Sequence, residues 1–356
     1  LLGLVGSEMC IRDRFKLVHV FNRSELIEVA TFRSGENKEN DGNLVTDRTG
    51  KILRDNIWGT LEQDTFRRDF TVNALYYCPV SKKIEDHNSG IKHIRDKKIV
   101  SIGDPIKRFS EDPVRSLRAI RFSNKLQFKI DSKIKDAIYK QGHLLSHISN
   151  ARLFDEFCKI FLNGIAEKNF KKLESYGLNQ YLILTNPNDT IFSSELIKEA
   201  LRNTDKRFRE NKSITPGFLI AAMLWPELIK RASKNDEINL RKFFRSMDLV
   251  LKNQQNITAI PRKFHTYIKD IWILQLKLHS RIGKQPYKTL KHPRFRAAYD
   301  FLLIREKASK CKPDLGSWWT KFQKNDPSSQ KSLISNLREL TEEQSFKKFG
   351  FPEELI

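Results

Sequence analysis

Long apolar runs are absent from this 356-residue sequence. No stretch approaches the roughly 20 consecutive apolar residues that a membrane-spanning helix needs, so neither a span nor a membrane partner is expected. The first fourteen residues, LLGLVGSEMCIRDR, have too short an apolar stretch and the wrong order of charges for a signal peptide.

Cysteine is scarce as well. The four cysteines are widely separated along the chain: Cys10, Cys78, Cys158 and Cys311. Their spacing excludes a disulfide scaffold and a zinc-ligand pattern, and it is typical of the reducing cytoplasm, which is the predicted location. The sequence also has no Walker loop, no Rossmann glycine pattern and no Gly-x-Ser-x-Gly, and HLLSH (143–147) has leucine where a zinc protease needs glutamate.

Acidic residues are too few to balance the basic ones. Lysine and arginine number 65 against 43 aspartates and glutamates, a net charge of +22, which favours a polyanionic partner such as nucleic acid over a generic basic surface. The excess is clustered, because residues 261–310 hold 13 basic and 3 acidic residues. Aromatic residues of the same stretch could stack on bases or fill a helical core: Phe264, Tyr267, Trp272, Tyr287, Phe295, Tyr299 and Phe301.

The order of patterns predicts an α+β protein of two or three packed units. Residues 15–32 are predicted to form a β-hairpin around a polar turn at 22–25, and residues 34–50 a loop. RRDFTVNALYYC (67–78) is predicted to begin as a turn and continue as a helix, and KKIEDHNSGIKHIRDKKIVSIG (82–103) to form two short strands around a turn at 86–90. From residue 104 onward the pattern predicts helices.

Two carboxylates within the first 100 residues each have a structural and a functional interpretation. Glu28 lies within a predicted strand, where it either faces solvent on an edge strand or serves an ion partner or metal, because an unpaired buried carboxylate is costly. Asp69 either caps a following helix or belongs to a site in which Arg67 and Arg68 contact phosphate or sugar through their guanidinium forks.

An arginine ladder follows in FSEDPVRSLRAIRF (109–122). Asp112, Arg115, Arg118 and Arg121 recur every three residues, so neighbours in this series should adjoin on one helix, with Asp112 holding Arg115. Val114, Leu117 and Ile120 form a parallel apolar series that can face the core, so the charged series is expected to face a cleft. The alternative is an ordinary exposed helix with ion pairs of little energetic value.

Taken together, LIEVATFR, RRDFTVNALYY, GDPIKRFSEDPVRSLRAIRF and ARLFDEF, in this order and spacing, resemble the class II RNA nucleotidyltransferases. This superfamily holds bacterial poly(A) polymerases and CCA-adding enzymes. TPGFLIAAMLWPEL, IKDIWILQLKL, LKHPRFRAAYDFLLIRE and WWTKFQ resemble the RNA-binding region of the bacterial poly(A) polymerases. The resemblance spans residues 15–323, and its motifs are specific as a set.

The resemblance implies that an RNA 3′-hydroxyl attacks the α-phosphate of ATP without a template and releases pyrophosphate, with Mg²⁺ as cofactor and RNA 3′ ends and ATP as partners. It gives Glu28 and Asp69 catalytic roles, Glu28 as the third carboxylate of the metal site. It places nucleotide contacts at Arg68, Asn73, Asp112, Arg115, Arg118 and Arg121, with Asp112 and Arg115 reading the base edge. It places RNA contacts at Arg262, Lys263, Lys291, Arg294 and Arg296.

The sequence also departs from the family pattern. It contains no Gly-Gly turn and no Asp-x-Asp pair, so the two main metal ligands of the family are missing and the chain is expected to be inactive as it stands. Residues 1–14 resemble nothing in the family, which suggests an N-terminally truncated head. The expected segments are 1–14 (anomalous), 15–101 (truncated nucleotidyltransferase head, the remnant of a β-sheet), 102–165 (helical neck with the nucleotide-reading helix), 166–260 (helical body) and 261–356 (basic RNA-binding region).

The sequence is also compatible with two other functions. A CCA-adding enzyme would share the head and neck motifs, although the long basic C-terminal region favours poly(A) synthesis. A non-catalytic RNA-binding protein using residues 151–323 would explain both the missing carboxylates and the basic stretch.

Overall fold

The structure is a computed structural model that describes residues 9–12, 17–22, 25–34, 45–46, 52–54, 58–184, 191–234, 237–238, 240–309 and 314–341. The chain divides into two compact units, Leu1–His143 and Leu144–Ile356. The division falls inside the predicted neck, and the five-segment organisation stays a prediction.

The first unit opens with the predicted hairpin, which is confirmed. Strands β1 (Met9–Arg12), β2 (Leu17–Asn22) and β3 (Glu25–Ala30) form an antiparallel sheet in that order. Within the predicted 34–50 loop, β4 (Val45–Thr46) pairs with β5 (Ile52–Arg54), and residues 35–44 and 47–50 lie outside the described residues.

The predicted helix in RRDFTVNALYYC is wrong. Helix α1 (Leu61–Arg67), which begins with a capping box between Thr60 and Gln63, ends where that helix was expected to start. Thr71–Asn73 is a single 3₁₀ turn, and the chain continues as strand β6 (Tyr76–Cys78), antiparallel to β7 (Lys83–Glu85). β-branched and aromatic residues fit a strand better than a helix.

The predicted strand pair at 82–103 is only half right. Between β7 and β8 (Lys98–Ile99) the chain forms helix α2 (Gly90–Arg95), because the Asp86 carboxylate accepts hydrogen bonds from the Gly90 and Ile91 amides at 2.7 and 2.9 Å. Strand β8 therefore pairs elsewhere, in parallel with β9 (Lys129–Ile130). The remaining helices of this unit are α3 (Pro105–Glu111), α4 (Val114–Leu126) and α5 (Ser132–Gln141).

The second unit is mostly helical, which confirms the α+β prediction with a helical body. Its elements in chain order are α6 (Asn150–Phe161), α7 (Ala166–Ser175), α8 (Ile191–Arg209), α9 (Pro216–Met223), α10 (Trp225–Ala232), β10 (Ser233–Lys234), β11 (Glu237–Ile238), α11 (Leu240–Gln255), α12 (Arg262–His279), α13 (Gln285–Leu290), α14 (Phe295–Ser309), α15 (Asp314–Lys324) and α16 (Pro327–Thr341). Across the described residues, every helix is too short or too polar to span a bilayer.

Helix α14 packs against both α8 and α12, and aromatic side chains fill the core between the helices. Trp272 and Trp319 are fully buried, and each donates its indole N–H to a backbone carbonyl at 2.9 Å. Four of the aromatic residues considered for base stacking belong to this core: Trp272, Phe295, Tyr299 and Phe301, each at most 6% exposed. For these four the stacking interpretation is wrong, because a base cannot reach them.

Candidate active site

The arginine ladder lies on α4, but Asp112 does not share that helix. Asp112 ends α3 in extended backbone, and its Oδ1 accepts a hydrogen bond from the Val114 amide at 3.3 Å. The expectation of one continuous helix is wrong because Pro113 disfavours helical backbone in the residue before it.

Helix α4 has the predicted apolar face. Val114, Leu117 and Ile120 are at most 1% exposed. The prediction for the charged series was that it faces a cleft and is not buried. This prediction is wrong for Arg115, which is 9% exposed. Arg118 and Arg121 are half-buried.

Asp69 is the acidic partner of this helix. Its Oδ1 lies 3.0 Å from Arg115 Nε and its Oδ2 lies 2.5 Å from Arg118 Nε. The Asp69 backbone is fixed by a hydrogen bond from the Ile102 amide at 3.2 Å, and the following 3₁₀ turn is preceded by Phe70, so Asp69 does not cap it. A buried carboxylate thus anchors two guanidinium groups from one helix.

An aromatic ring supports the outer part of the ladder. The guanidinium carbon of Arg121 lies 4.6 Å from the centroid of the Phe122 ring, and that of Arg118 lies 5.9 Å from it. Phe122 in turn packs edge-to-face on the buried Phe70, at 5.9 Å between centroids. The guanidinium groups are therefore held beside a ring that is itself fixed by the core.

A second buried carboxylate, Asp64, holds Arg68. Asp64 is 2% exposed and accepts hydrogen bonds from Arg68 Nε and Nη2, from Arg67 Nε and from the Tyr76 hydroxyl. Burial works against ionisation of Asp64, but the hydrogen bonds from Tyr76, Arg68 and Arg67 outweigh it and lower its pKa to about 2. Asp64 therefore stays ionised and fixes the direction of both arginines.

Arg108 connects the two carboxylate clusters. Its Nη2 donates to the Arg67 and Arg68 carbonyls at 2.7 and 3.0 Å. Burial lowers the pKa of Arg115, and the positive charge of Arg108 lowers it further against the opposing attraction of Asp69.

The sequence prediction missed Asp64, Tyr76 and Arg108. The positions of Arg67 and Arg68, three and four residues after Asp64, were a usable signal, because residues at these spacings adjoin on a helix. The contacts of Tyr76 and Arg108 join distant parts of the chain, and no local pattern reports them.

Two other predicted site residues lie in different surroundings. Asn73 uses its side-chain oxygen to accept a hydrogen bond from the Phe70 amide at 3.2 Å, which closes the 3₁₀ turn. Glu28 has a 60% exposed side chain on β3, with Oε1 3.5 Å from His19 Nε2 on the paired strand. These contacts match the edge-strand interpretation of Glu28, and its catalytic role stays a prediction.

A magnesium site does not fit the side chains that the structure describes. Within the described ranges no three His, Cys, Asp or Glu side chains come together as a metal-binding group. Both Asp69 oxygens face arginines, and tight Mg²⁺ binding calls for a nearly octahedral set of oxygens. The described side chains therefore do not form a site at which Mg²⁺ could act in catalysis.

The predicted RNA-binding residues lie in the second unit and are exposed: Arg262, Lys263, Lys291, Arg294 and Arg296. Three of them lie over aromatic rings, with 5.1 Å from Lys263 Nζ to the Phe264 centroid, 4.8 Å from the Arg294 guanidinium carbon to Tyr267, and 5.5 Å from that of Arg296 to Tyr299. Their role in RNA binding stays a prediction.

Three family models match the chain. They are the poly A polymerase head domain over residues 5–100, the probable RNA and SrmB-binding site of polymerase A over residues 127–187, and the polymerase A arginine-rich C-terminus over residues 236–349. The first match begins inside the segment 1–14.

Curated relatives extend over most of the chain. The chain is 40% identical to Poly(A) polymerase I of Escherichia coli O6:H1 over 344 residues, which is 92% of this chain and 73% of that protein. It is 35% identical to the CCA-adding enzyme of Anoxybacillus flavithermus over 181 residues, 51% of this chain and 42% of that protein.

The fold also matches solved structures. Bacillus stearothermophilus CCA-adding enzyme in complex with CTP aligns with a TM-score of 0.53 and 22% identity, over 93% of this chain and 69% of that one. At this identity the likeness shows the fold alone. The family is shown by the domain models and by the 40% identity across nine-tenths of the sequence: the chain belongs to the superfamily of bacterial poly(A) polymerases and CCA-adding enzymes, the class II RNA nucleotidyltransferases.

Proposed function

We propose that this protein serves the template-independent addition of AMP from ATP to RNA 3′ ends, a polyadenylation that promotes RNA turnover in the cytoplasm. In this reaction the RNA 3′-hydroxyl loses its proton to solvent and its oxygen forms a bond to the α-phosphorus of ATP. The bond from that phosphorus to the bridging oxygen of the β-phosphate breaks, and pyrophosphate leaves with the electron pair. The observation that carries the proposal is the pair of α4 arginines anchored on the buried Asp69.

The charge balance of this cluster supports a polyphosphate ligand. Arg115 and Arg118 share one carboxylate through their Nε atoms, so two positive charges face the single negative charge of Asp69. Buried cations are costly unless they are paired, and a guanidinium binds phosphate oxygens through two parallel N–H groups. A triphosphate would supply the negative charge that this one carboxylate does not.

The proposed roles follow from what each side chain can reach. Arg118 and Arg121 take the triphosphate, because they are the less buried members of the ladder. Arg68, 42% exposed at its side chain and aimed by Asp64, takes a phosphate or sugar oxygen. Asp112 and Arg115 remain the proposed readers of the base edge.

The comparisons favour AMP addition over CCA addition. Identity to Poly(A) polymerase I of Escherichia coli extends over 92% of the chain, whereas the Anoxybacillus CCA-adding enzyme aligns over 51%. The arginine-rich C-terminal model also belongs to polymerase A. CCA addition to tRNA remains the alternative within the superfamily.

We further propose that a protein of these 356 residues adds no nucleotide by itself. The sequence holds neither the Gly-Gly turn nor the Asp-x-Asp pair that the family uses, and the described residues offer no magnesium site. Glu28 would act as a metal ligand only beside two further carboxylates.

Joining a family-type N-terminal segment with both motifs to residue 15 tests the assignment. The fusion should extend a labelled RNA oligonucleotide with ATP and Mg²⁺ but not with CTP, while the 356-residue chain extends nothing. Arg118→Ala in the fusion should lower incorporation, and the exposed Arg241→Ala should not. A fusion that folds and extends no RNA contradicts the enzyme assignment, and one that adds C, C and A to a tRNA lacking its 3′ end establishes the alternative.

The non-catalytic RNA-binding function draws on one specific observation, the 13 basic residues of 261–310. It predicts RNA binding by the unmodified chain and no incorporation by the fusion. The same two measurements therefore separate it from the polymerase.

A further inference from the structure

The second unit contains a basic cavity outside the candidate active site. Its volume is about 200 Å³, and it lies between the C-terminal half of α8, the start of α9, α12 and the start of α14. Three arginines and one aspartate line it, a net charge of +2: Arg207, Arg294, Arg296 and Asp300. Such a lining favours an anion, and the volume is below the roughly 300–1,000 Å³ of a drug-sized ligand pocket.

Asp300 organises two of the arginines. Its Oδ2 accepts from Arg207 Nη1 at 3.3 Å, and its Oδ1 lies 3.1 Å from Arg296 Nε. Arg207 also donates from Nε to the Ser213 carbonyl at 3.0 Å, which ties α8 to the loop before α9. One carboxylate thus holds two guanidinium groups from different helices at one rim of the cavity.

Arg294 is arranged differently. No carboxylate among the described residues pairs with it, and its guanidinium carbon lies 4.8 Å from the centroid of the Tyr267 ring, over that ring. The ring itself is pressed against α9, where a Cβ on Gly217 would come within 2.9 Å of Tyr267 Cδ1. Arg294 is exposed, so its planar guanidinium is accessible beside a supported ring.

We propose that this cavity binds a single unstacked nucleotide of single-stranded RNA, with its base on the Arg294 guanidinium and its phosphate beside Arg207 and Arg296. Guanidinium planes and aromatic rings are the surfaces on which proteins stack the bases of single-stranded RNA. The hydroxyl and amide groups of Thr215 and Asn203, also in the lining, can reach base edges. An acidic peptide would use the charges but not the planar guanidinium, which is why RNA is favoured.

The proposal rests on the proposed function in one respect, that RNA is the partner. It differs in that this pocket would hold an RNA segment rather than the incoming ATP. It assigns the pocket the task of anchoring the strand whose 3′ end is extended.

The test uses the full chain and a 12-nucleotide oligoadenylate in which 2-aminopurine replaces one adenine at a different position in each sample. Stacking quenches 2-aminopurine fluorescence, so the wild-type chain should quench one position more strongly than the others. Arg294→Ala should abolish this difference and weaken binding about tenfold, within the range of one lost base stack.

Arg294→Lys separates stacking from charge, because lysine keeps the charge and loses the planar group. It should lose the position-specific quench and retain more affinity than Arg294→Ala. The matched control is Arg241→Ala, an exposed arginine on α11 outside the cavity lining, which should keep the quench. Thermal unfolding of each variant checks that it is folded.

Three outcomes overturn the proposal: uniform quenching along the strand, Arg294→Ala that binds as tightly as Arg241→Ala, or displacement of the RNA from the pocket by polyglutamate as effectively as by unlabelled RNA. These outcomes leave the polymerase assignment intact if the fusion still extends RNA. Absence of any RNA binding by the wild-type chain would instead contradict the proposed function.

Discussion

At the scale of single residues, the site depends on two buried carboxylates, Asp64 and Asp69, each of which holds two arginines. Sequence reasoning identified Asp69 and the arginines but paired Arg115 with Asp112, its neighbour in the helical pattern. A helical period reports neighbours along one helix, and it cannot report a partner that a distant segment brings to the helix.

Replacing Asp64 by asparagine should lower the free energy of unfolding by about 2 kcal/mol at pH 7. The pKa of Asp64 is depressed from 3.8 to about 2 in the folded state, so its contribution is fully present above the unfolded pKa and is lost as the pH falls from about 4 to about 2. Urea unfolding of wild type and Asp64→Asn over this pH range measures the difference. The exposed Glu62→Gln on the same helix is the control, and a difference that stays constant down to pH 2 would contradict this account.

Asp69 and Arg115 should behave as one buried pair. Removing either partner leaves the other charge buried, so Arg115→Ala and Asp69→Ala should each lower the free energy of unfolding by about 3–5 kcal/mol. The double variant should cost clearly less than the two single changes together. A double-mutant cycle by urea unfolding gives the coupling, and strict additivity would show that the pair does not interact.

At the scale of elements, the sequence predicted the hairpin and most helices, because their apolar periods and turn residues are local. It failed at RRDFTVNALYYC and at the strand pair of residues 82–103. In both places long-range pairing decides the structure: Phe70 bridges to Ser101, and β8 pairs with β9. Tertiary contacts of this kind override local helix propensity.

A cap contributed by a neighbouring helix should stabilise α7. The buried Asp205 of α8 accepts from the Ala166 and Glu167 amides at 2.6 and 3.1 Å, the unpaired donors at the start of α7. Asp205→Ala should lower the free energy of unfolding by about 2 kcal/mol, and Asp205→Asn, which keeps one acceptor, by less. Chemical denaturation measures both, with Asp131→Ala at the start of α5 as a comparison cap. Equal losses for alanine and asparagine would argue against capping.

At the scale of the whole molecule, the net charge of +22 is the property that the sequence reports most directly. It predicts a polyanionic partner without locating the contact, because composition carries no geometry. Exposed basic residues of α12 and α14, among them Arg262, Lys263 and Arg296, are the candidates for that contact, while most of the aromatic residues considered for stacking belong to the core.

Binding of single-stranded RNA should therefore weaken steeply with salt. A strand that contacts about four phosphates should give a slope of roughly −3 for log affinity against log salt concentration. Fluorescence anisotropy of labelled oligoadenylate between low and moderate salt measures the slope. A slope near zero would show that the positive charge does not serve RNA.

We propose that α4 holds ATP, with Arg118 and Arg121 on the triphosphate and Arg115 at the base. Soaking crystals of the chain with ATP tests it most directly. We expect triphosphate density within hydrogen-bonding distance of Arg118 and the base near Arg115. ATP bound at another place, with these arginines still facing Asp69 alone, would contradict it.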